Sequence, residues 1–142
     1  MSLLASTSPE SPSEPPQAGR EATERIDAIA CLDERSRRTA SDPGAAQPGR
    51  YLEVQGAQGA LLVPLEQDVT HIGRGLAADL QLDDGSVSRR HAILVHRSAG
   101  ARILDDRSAN GTIVNGRRVT QADLRNGDVI VLGRVVLRYL EL

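Results

Sequence analysis

The chain has 142 residues, a length that suits one domain with an appendage, and its formal net charge at pH 7 is −2. This charge excludes the protein-wide basic field of a typical nucleic-acid-binding protein. All 17 basic residues are arginines, and the absence of lysine excludes Schiff-base enzymes and P-loop nucleotide-binding proteins. Phe and Trp are also absent, so Leu, Val and Ile must build the core.

The first 50 residues are expected to form an arm that precedes the domain. Residues 1–19 are rich in Ser, Pro and Glu, a composition that predicts disorder. Over residues 20–38, apolar side chains recur at helical spacing and Glu or Asp precedes Arg by four positions, which predicts a helix. Residues 39–50 contain two prolines and two glycines and are expected to be a linker.

From residue 51 onward the pattern changes to short apolar runs separated by turn signals such as Asn-Gly and Asp-Gly. The predicted strands cover residues 51–55, 60–64, 69–72, 80–82, 92–96, 101–104, 113–114, 117–119, 128–132 and 135–140. Many short strands at close spacing are typical of a sandwich or barrel. We therefore expect an all-β domain over residues 51–142.

The single cysteine, Cys31, rules out an internal disulfide, and a reducing compartment is the simplest setting for such a chain. The first residues lack the basic leader of a secretory signal, and no apolar run reaches the length of a membrane span. We expect a cytoplasmic protein with no membrane partner, in which Cys31 is an ordinary packed residue.

Three short polar strings lie in loops between predicted strands: Gly73-Arg74, Ser88-Arg89-Arg90-His91 and Asn110-Gly111-Thr112. Each string supplies hydrogen-bonding groups. A guanidinium can hold a phosphate through two parallel N–H bonds, a serine hydroxyl can add a third bond, and an asparagine amide can hold a peptide backbone. This combination predicts capture of a phosphorylated peptide and no chemistry on it.

Residues 51–142 resemble a forkhead-associated (FHA) domain, a phosphothreonine-binding β-sandwich. The resemblance rests on four strings in order along the chain: Gly73-Arg74 with residues 79–82, Ser88 to Ala92, Asp105 to Gly116, and Leu124 to Asp128. It implies a two-sheet sandwich of about 10–11 short strands. It also implies a signalling adaptor or regulator with a phosphothreonine-containing protein as its partner.

The resemblance further assigns roles to single residues. Those implied to contact a phosphopeptide are Arg74, Ser88, Arg89, Ala109 and Asn110. Those implied to shape the loops are Gly73, His91, Gly111 and Thr112. Some family members carry Ser or Thr where this chain has Ala109, which can offer only its backbone N–H. We therefore expect weaker binding than in those members.

Two enzyme interpretations fail on the sequence. Gly73 to Ala78 matches a Gly-x-Gly-x-x-Ala dinucleotide fingerprint, but the turn at Asp84-Gly85 leaves no room for the helix that must follow. Ser88, His91 and Asp105 lack the nucleophile elbow of a hydrolase. We expect no catalytic residue, metal site, cofactor or nucleic-acid partner. An FHA scaffold that does not read phosphate remains the alternative.

The phosphate on such a partner implies a Ser/Thr protein kinase, and the arm itself contains two candidate phosphoacceptors, Thr23 and Thr39. Thr39 follows a basic string over residues 35–38. The resemblance implies that the loop before Ser88 helps to select the ligand residue three positions after the phosphothreonine, and the nearby apolar Leu76 and Val87 predict an aliphatic residue there. Thr23 is followed three residues later by Ile26, which fits this preference. A phosphorylated Thr23 that folds back onto the binding loops would make the protein self-regulating.

Overall fold

The computed structural model describes residues 26–57 and 59–142. Its eleven β-strands alternate with short loops. They are β1 (Arg50–Gly56), β2 (Gly59–Pro64), β3 (Val69–Gly73), β4 (Leu80–Gln81), β5 (Ala92–His96), β6 (Ala101–Asp105), β7 (Thr112–Val114), β8 (Arg117–Val119), β9 (Gln121–Leu124), β10 (Val129–Leu132) and β11 (Val135–Glu141). Within the described residues, the helical elements are one α-helix, α1 (Glu34–Thr39), and two 3-10 turns, Ala28–Cys31 and Pro43–Ala45. No helix in this part of the chain is long and apolar enough to cross a membrane.

The strands form two sheets. The first has six strands in the order β2-β1-β11-β10-β7-β8, and the second has five in the order β4-β3-β5-β6-β9. The paired strands are antiparallel except β3 and β4, which are parallel. This arrangement confirms the predicted all-β FHA-type sandwich.

The core between the sheets is built almost entirely of branched aliphatic side chains, as the absence of Phe and Trp requires. Its largest fully buried members include Leu52, Ile72, Leu94, Ile103, Leu124, Ile130, Leu132 and Leu137. Tyr139 is the one aromatic residue among them, and its hydroxyl donates to Glu141 Oε2 at 2.7 Å. Strand burial alternates along β11, because successive side chains point to opposite faces of a sheet.

All ten predicted strands are present within one or two residues of their expected bounds, but β9 was not predicted. Its sequence, Gln121-Ala122-Asp123-Leu124, contains no β-branched or aromatic residue, and only Leu124 is buried. Pairing with β6 through Ala101↔Leu124 and its neighbours makes it a strand. Strand β9 therefore forms because of its long-range pairing with β6, which no local sequence pattern indicates.

The arm differs from its prediction. Over 26–38, the described part of the expected helix, the chain forms the 3-10 turn Ala28–Cys31, an extended residue at Leu32 (ψ 144°), and then the short α1. A single helix is wrong here because Leu32 leaves helical geometry to pair with Leu82 and is only 4% exposed. Burial of apolar side chains outweighs the weak intrinsic stability of a short helix. Residues 1–25, including the predicted disordered stretch, lie outside the described residues.

Residues 26–49, which we call the strap, are packed against the domain, whereas a free linker was expected for residues 39–50. Ser41 and Leu62 exchange two backbone hydrogen bonds, of 2.9 and 2.8 Å, at the edge strand β2. At the other sheet, Leu32 pairs with Leu82 just past the edge strand β4. The strap therefore spans one open side of the sandwich, from one sheet to the other.

The strap also sets where the chain enters the domain. Ile26 and Asp27 line a groove together with Gly56, Ala57 and Arg134. Arg134 lies in the β10–β11 turn and donates its backbone N–H to Ser86 Oγ at 2.8 Å. The strap thus carries the chain toward the end of the sandwich where the loop of Ser86 lies.

Candidate functional site

Three loops meet at one end of the sandwich and carry the residues singled out in the sequence. They are the β3–β4 loop (74–79), the β4–β5 loop (82–91) and the β6–β7 loop (106–111). Backbone hydrogen bonds join them: Arg74 N donates to Ser88 O at 2.9 Å, Gly75 N to Arg89 O at 3.1 Å, and Asp106 N to His91 O at 2.9 Å. The strands below fix the loop ends, so the site is preorganised.

Arg74 is half-buried at the start of the β3–β4 loop. Its Nε donates to the carbonyl of Val87 at 2.9 Å, which orients the guanidinium across the β4–β5 loop. Neither an acidic partner nor an acceptor for its two terminal nitrogens is present among the described residues. A cation oriented through one nitrogen, with two others available, is suited to hold an anion.

Gly73 permits the close approach of these two loops. A Cβ at this position would lie 2.1 Å from the Arg89 carbonyl oxygen and 3.0 Å from that of Ser88. Both atoms belong to the backbone, so no side-chain movement could relieve the clash. Any larger residue would therefore push Arg74 away from Ser88, which explains why glycine precedes the arginine.

Ser88 joins the β4–β5 and β6–β7 loops. Its Oγ accepts a hydrogen bond from Ala109 N at 2.9 Å, and its hydroxyl proton has no acceptor in the part of the chain that the structure describes. The Ala109 N–H was expected to face a ligand, but it is used to orient the serine. Ala109 thus orients Ser88, whose hydroxyl remains able to donate.

His91 is fully buried beneath the loops. Its Nδ1 accepts from Ser88 N at 3.1 Å, and its Nε2 lies 2.9 Å from Gly111 O. These partners require a neutral ring with the proton on Nε2, since the backbone N–H of Ser88 must meet an acceptor. One imidazole therefore ties two binding loops together, and both of its nitrogens are occupied.

Asp105 organises the β6–β7 loop from inside. Its carboxylate accepts from the Ser108 N–H and hydroxyl and, at 2.7 Å, from the hydroxyl of buried Thr112. Burial of the carboxyl acts to raise its pKa, but the hydrogen bonds from Ser108 and Thr112 outweigh burial and hold the pKa below its usual range. The ionised form is the one that stabilises this loop.

A second carboxylate, Asp84, holds the other side of the site and was missed as a site residue in the sequence. It accepts from the N–H and hydroxyl of Ser86 and from Arg134 Nη2 at 2.8 Å. Burial acts to raise its pKa, and the bonds from Ser86 and Arg134 more than offset this and lower it. No sequence motif links Asp84 to Arg134, which lies 50 residues away.

Asn110 projects toward this second anchor. Its side-chain nitrogen donates to Ser86 O at 2.7 Å, so the amide bridges the β6–β7 and β4–β5 loops. The amide oxygen and the second N–H remain able to hold a peptide backbone. Gly111 follows in the left-handed region with φ +84°, and Arg118 packs against it so closely that a Cβ would lie 2.5 Å from Arg118 Nε.

The exposed face of the site is arginine-rich. Arg89 is exposed, and Arg90 forms an ion pair with Asp106 through a 3.1 Å contact. Arg107 is exposed beside this pair and, together with Ser88, lines a shallow depression. Although the whole chain has a net negative charge, the loop end therefore presents several positive side chains.

The apolar pair expected to select an aliphatic ligand residue is only partly available. Val87 is 1% exposed and belongs to the core, so it cannot touch a ligand. Leu76, in contrast, is 92% exposed at the tip of the β3–β4 loop. Any apolar selection at this end must therefore come from Leu76.

The geometry contains no hydrolase-like pair at Ser88. His91 meets the backbone N–H of Ser88 and not its hydroxyl, and its other nitrogen faces a carbonyl. Burial, followed by the nearby Asp84, raises the pKa of the Cys31 thiol, which makes it a poor nucleophile. Among the residues described, no group of three or more His, Cys, Asp or Glu side chains could hold a metal ion.

Of the two candidate phosphoacceptors, only Thr39 lies among the described residues. Thr39 is exposed at the end of α1, where its hydroxyl donates back to the Ser36 carbonyl at 3.2 Å. Thr23 lies outside the described residues, three positions before Ile26.

Comparison with known proteins agrees with this geometry. The family described as the FHA domain matches residues 70–133, which include all three loops. The chain is 37% identical over 111 residues to the glycogen accumulation regulator GarA of Mycobacterium tuberculosis, which covers 67% of this chain and 68% of GarA. It is 40% identical over 83 residues to the ABC transporter ATP-binding/permease protein Rv1747 of the same species. That match covers 58% of this chain but spans only 10% of the transporter.

Among solved structures, the FHA domain of FhaA, crystallised in complex with the intracellular domain of Rv3910, superposes with a TM-score of 0.59. The two sequences are 34% identical, and the match covers 64% of this chain and 99% of that domain. The strap, residues 26–49, lies entirely outside the residues that the FHA family match covers.

Proposed function

The chain belongs to the forkhead-associated (FHA) domain family, and we propose that it is a phosphothreonine-dependent binding module that acts as a signalling adaptor or regulator. Its ligand would be an extended phosphothreonine-containing segment of a partner protein, laid across the three loops. Regulators are found among its relatives, GarA being one by name. A Ser/Thr protein kinase would create the ligand, in a reducing, cytoplasmic setting.

The half-buried Arg74 carries this proposal. Its guanidinium is oriented by the Val87 carbonyl, and no described acidic side chain neutralises it. A partly buried cation without an acidic partner is stabilised when an anion binds to it. The phosphate would bond to the terminal nitrogens of Arg74 and to the hydroxyl proton of Ser88, which lies one loop away.

The remaining ligand contacts follow from the same arrangement. The free amide groups of Asn110 would hold the ligand backbone beyond the phosphothreonine, and the exposed Arg89 would contact the ligand near the phosphothreonine. Leu76 would favour an aliphatic residue three positions after the phosphothreonine. The loops are already ordered, so binding costs little conformational entropy, and a Kd near 1 μM, about −8 kcal/mol, is expected.

The proposed role is binding without catalysis. The buried ring of His91 is committed to two backbone partners, so it cannot act as a base for Ser88. Each carboxylate that organises the loops, Asp84 and Asp105, is likewise occupied by hydrogen bonds from its own loop.

Calorimetry with matched peptides tests the proposal. One peptide carries phosphothreonine, a second phosphoserine and a third unmodified threonine. The phosphothreonine peptide should bind, and Arg74→Ala should weaken binding at least about 100-fold, because charge-assisted hydrogen bonds are lost. Arg97→Ala is the control, since Arg97 lies in the turn after β5, at its other end from the loops. Equal affinity for modified and unmodified peptides would instead support a scaffold that does not read phosphate.

Self-regulation through phosphorylated Thr23 is part of the proposal, and the strap changes its geometry. Ile26 lies in the groove beside Arg134, so the chain before it starts near the binding loops. The three residues from Thr23 to Ile26 span at most about 11 Å. Phosphorylated Thr23 can therefore bind to its own domain only if the phosphate-binding groups lie within this distance of Ile26 or if the strap detaches. Binding of phosphorylated Thr23 to the domain of a second copy requires neither condition.

NMR of the protein phosphorylated at Thr23 separates these cases. Shifts at Arg74, Ser88 and Asn110 that are independent of protein concentration indicate capture within the molecule. Shifts that grow with concentration indicate capture by a second copy. Unchanged resonances, together with unchanged affinity for an external phosphopeptide, would reject self-regulation.

A further inference from the structure

Arg107 has a backbone conformation that its side chain disfavours. Its φ is +59°, in the left-handed region, and Asn115 is the other non-glycine residue with positive φ among those described. Asparagine tolerates this region, whereas a long side chain such as arginine seldom occupies it. Glycine would fit without strain, so the presence of arginine suggests that its side chain has a use.

The Arg107 side chain borders the candidate site beside Ser88. It lines one shallow depression with Ser88, Arg90 and Asp106. Arg90 and Asp106 neutralise each other through their ion pair. For Arg107 itself, no hydrogen-bond or ion-pair partner occurs within residues 26–57 and 59–142. The depression therefore carries one uncompensated positive charge, next to the hydroxyl proposed to bind phosphate.

The position of Arg107 relative to Ser88 indicates which part of the ligand this charge would contact. Asn110 bonds to Ser86 O, so these two residues form one flank of the site. Arg107 lines the depression with Ser88, Arg90 and Asp106, and neither Asn110 nor Ser86 lines it. If Asn110 holds the backbone that follows the phosphothreonine, the residues that precede it run toward Arg107.

From this geometry we propose that Arg107 is a specificity-determining residue, which selects an acidic side chain on the N-terminal side of the phosphothreonine. The inference rests on the proposed phosphothreonine binding and adds a preference to it. The contact is an exposed ion pair, so its effect is moderate and falls as salt rises. Arg74 and Ser88 supply the bulk of the affinity, and Arg107 adjusts which sequences are bound.

A double-mutant cycle measures this preference directly. Two phosphothreonine peptides differ only at the residues immediately before the phosphothreonine, which are Asp in one and Asn in the other. A second pair carries the same change on the C-terminal side. Each is titrated by calorimetry against the wild-type protein, Arg107→Gly and the control Arg97→Gln, at low and at physiological salt. Arg107→Gly suits the observed φ, so the fold is retained.

We expect the wild-type protein to prefer the N-terminal Asp peptide roughly two- to fivefold at low salt, as exposed ion pairs do. Arg107→Gly should lose this preference and bind the Asn peptide as tightly as wild type does. Arg97→Gln should keep the preference, because its charge lies at the other end of β5.

Three results would overturn the inference. Equal binding of the Asp and Asn peptides by wild type removes it directly while leaving phosphothreonine binding intact. An equal loss with every peptide in Arg107→Gly would mean that Arg107 contacts the phosphate itself. A preference for Asp that appears only in the C-terminal peptide pair, and that Arg107→Gly abolishes, would mean that the ligand runs in the opposite direction. If wild type binds no phosphothreonine peptide, the proposed function fails, and this inference fails with it.

Discussion

The binding end and the strap are held to the same sandwich by different chemistry. At the binding end, side chains bond to the backbone of neighbouring loops, with His91 and Asp105 at the centre. Along the strap, backbone pairs at Leu32 and Ser41 and buried apolar side chains supply the contacts. The hydrogen bonds at the binding end fix the direction of donors and acceptors, while the contacts of the strap mainly bury apolar surface. Substitutions in the two regions should therefore have separable effects on binding and on stability.

Leu32→Ala should have the largest effect on stability. Leu32 is buried at the junction of the strap with the second sheet, and removing a buried leucine side chain costs about 2–5 kcal/mol. Urea unfolding should show this loss, with phosphopeptide affinity at 25 °C changed little while the protein remains folded. Arg38→Ala, at an exposed position of the same strap, is the control and should unfold like wild type. Unchanged stability in Leu32→Ala would mean that the strap is not docked.

His91→Ala should affect both properties. It leaves the Ser88 N–H and the Gly111 carbonyl without their partner, at a cost of about 1–3 kcal/mol for such unsatisfied groups. Because the same bonds place Ser88, phosphopeptide affinity should fall together with the melting temperature. His71→Ala is the matched control, since His71 is exposed on β3. A variant that loses stability but keeps full affinity would show that the loops are held independently of His91.

Acidification should weaken the binding end first. The pKa of Asp105 is lowered in the folded protein, so its ionised form contributes stability that is present above the ordinary carboxyl pKa of about 3.9 and is lost as pH falls below it. Protection of the Ser108 amide against hydrogen exchange, relative to the intrinsic rate at each pH, should fall as the pH is lowered from about 4, before the core opens. Asp105→Asn should start with a weakened loop and show a smaller further change across this interval.

Arg35→Ala tests whether the two regions are truly separate, and its expected effect is the smallest. Arg35 Nη2 donates to Asp79 O at 3.0 Å, which connects the strap to the loop that carries Arg74. Loss of this exposed bond should cost about 0.5–1.5 kcal/mol at most, and phosphopeptide Kd should rise no more than a few fold. Arg35→Lys should restore part of it. A large loss of affinity with unchanged stability would show that the strap positions the binding loop.

The same contrast explains what could be predicted from the sequence. Strands and binding loops follow from local patterns, because alternation, turn residues and short polar strings each reflect a nearby physical requirement. Arg74, Ser88 and Asn110 lie together as their motifs suggested. Two features could not be predicted in this way, because each depends on a partner distant in sequence. They are the ion pair of Asp84 with Arg134 and strand β9, which pairs with β6. The strap was misread because Leu32 has helical spacing but pairs with Leu82, just past strand β4.

The placement of the strap also bears on how much of the edge of the first sheet is open to pairing with another strand. Strand β2 lies at a sheet edge, and its run Ala60-Leu61-Leu62-Val63 is apolar. An edge of this kind is a template on which a foreign strand can extend the sheet. Ser41 occupies both backbone groups of Leu62 and so interrupts the template at its centre. The strap thus protects this edge from pairing with other chains, and a chain shortened to begin at Arg50 would lack that protection against aggregation.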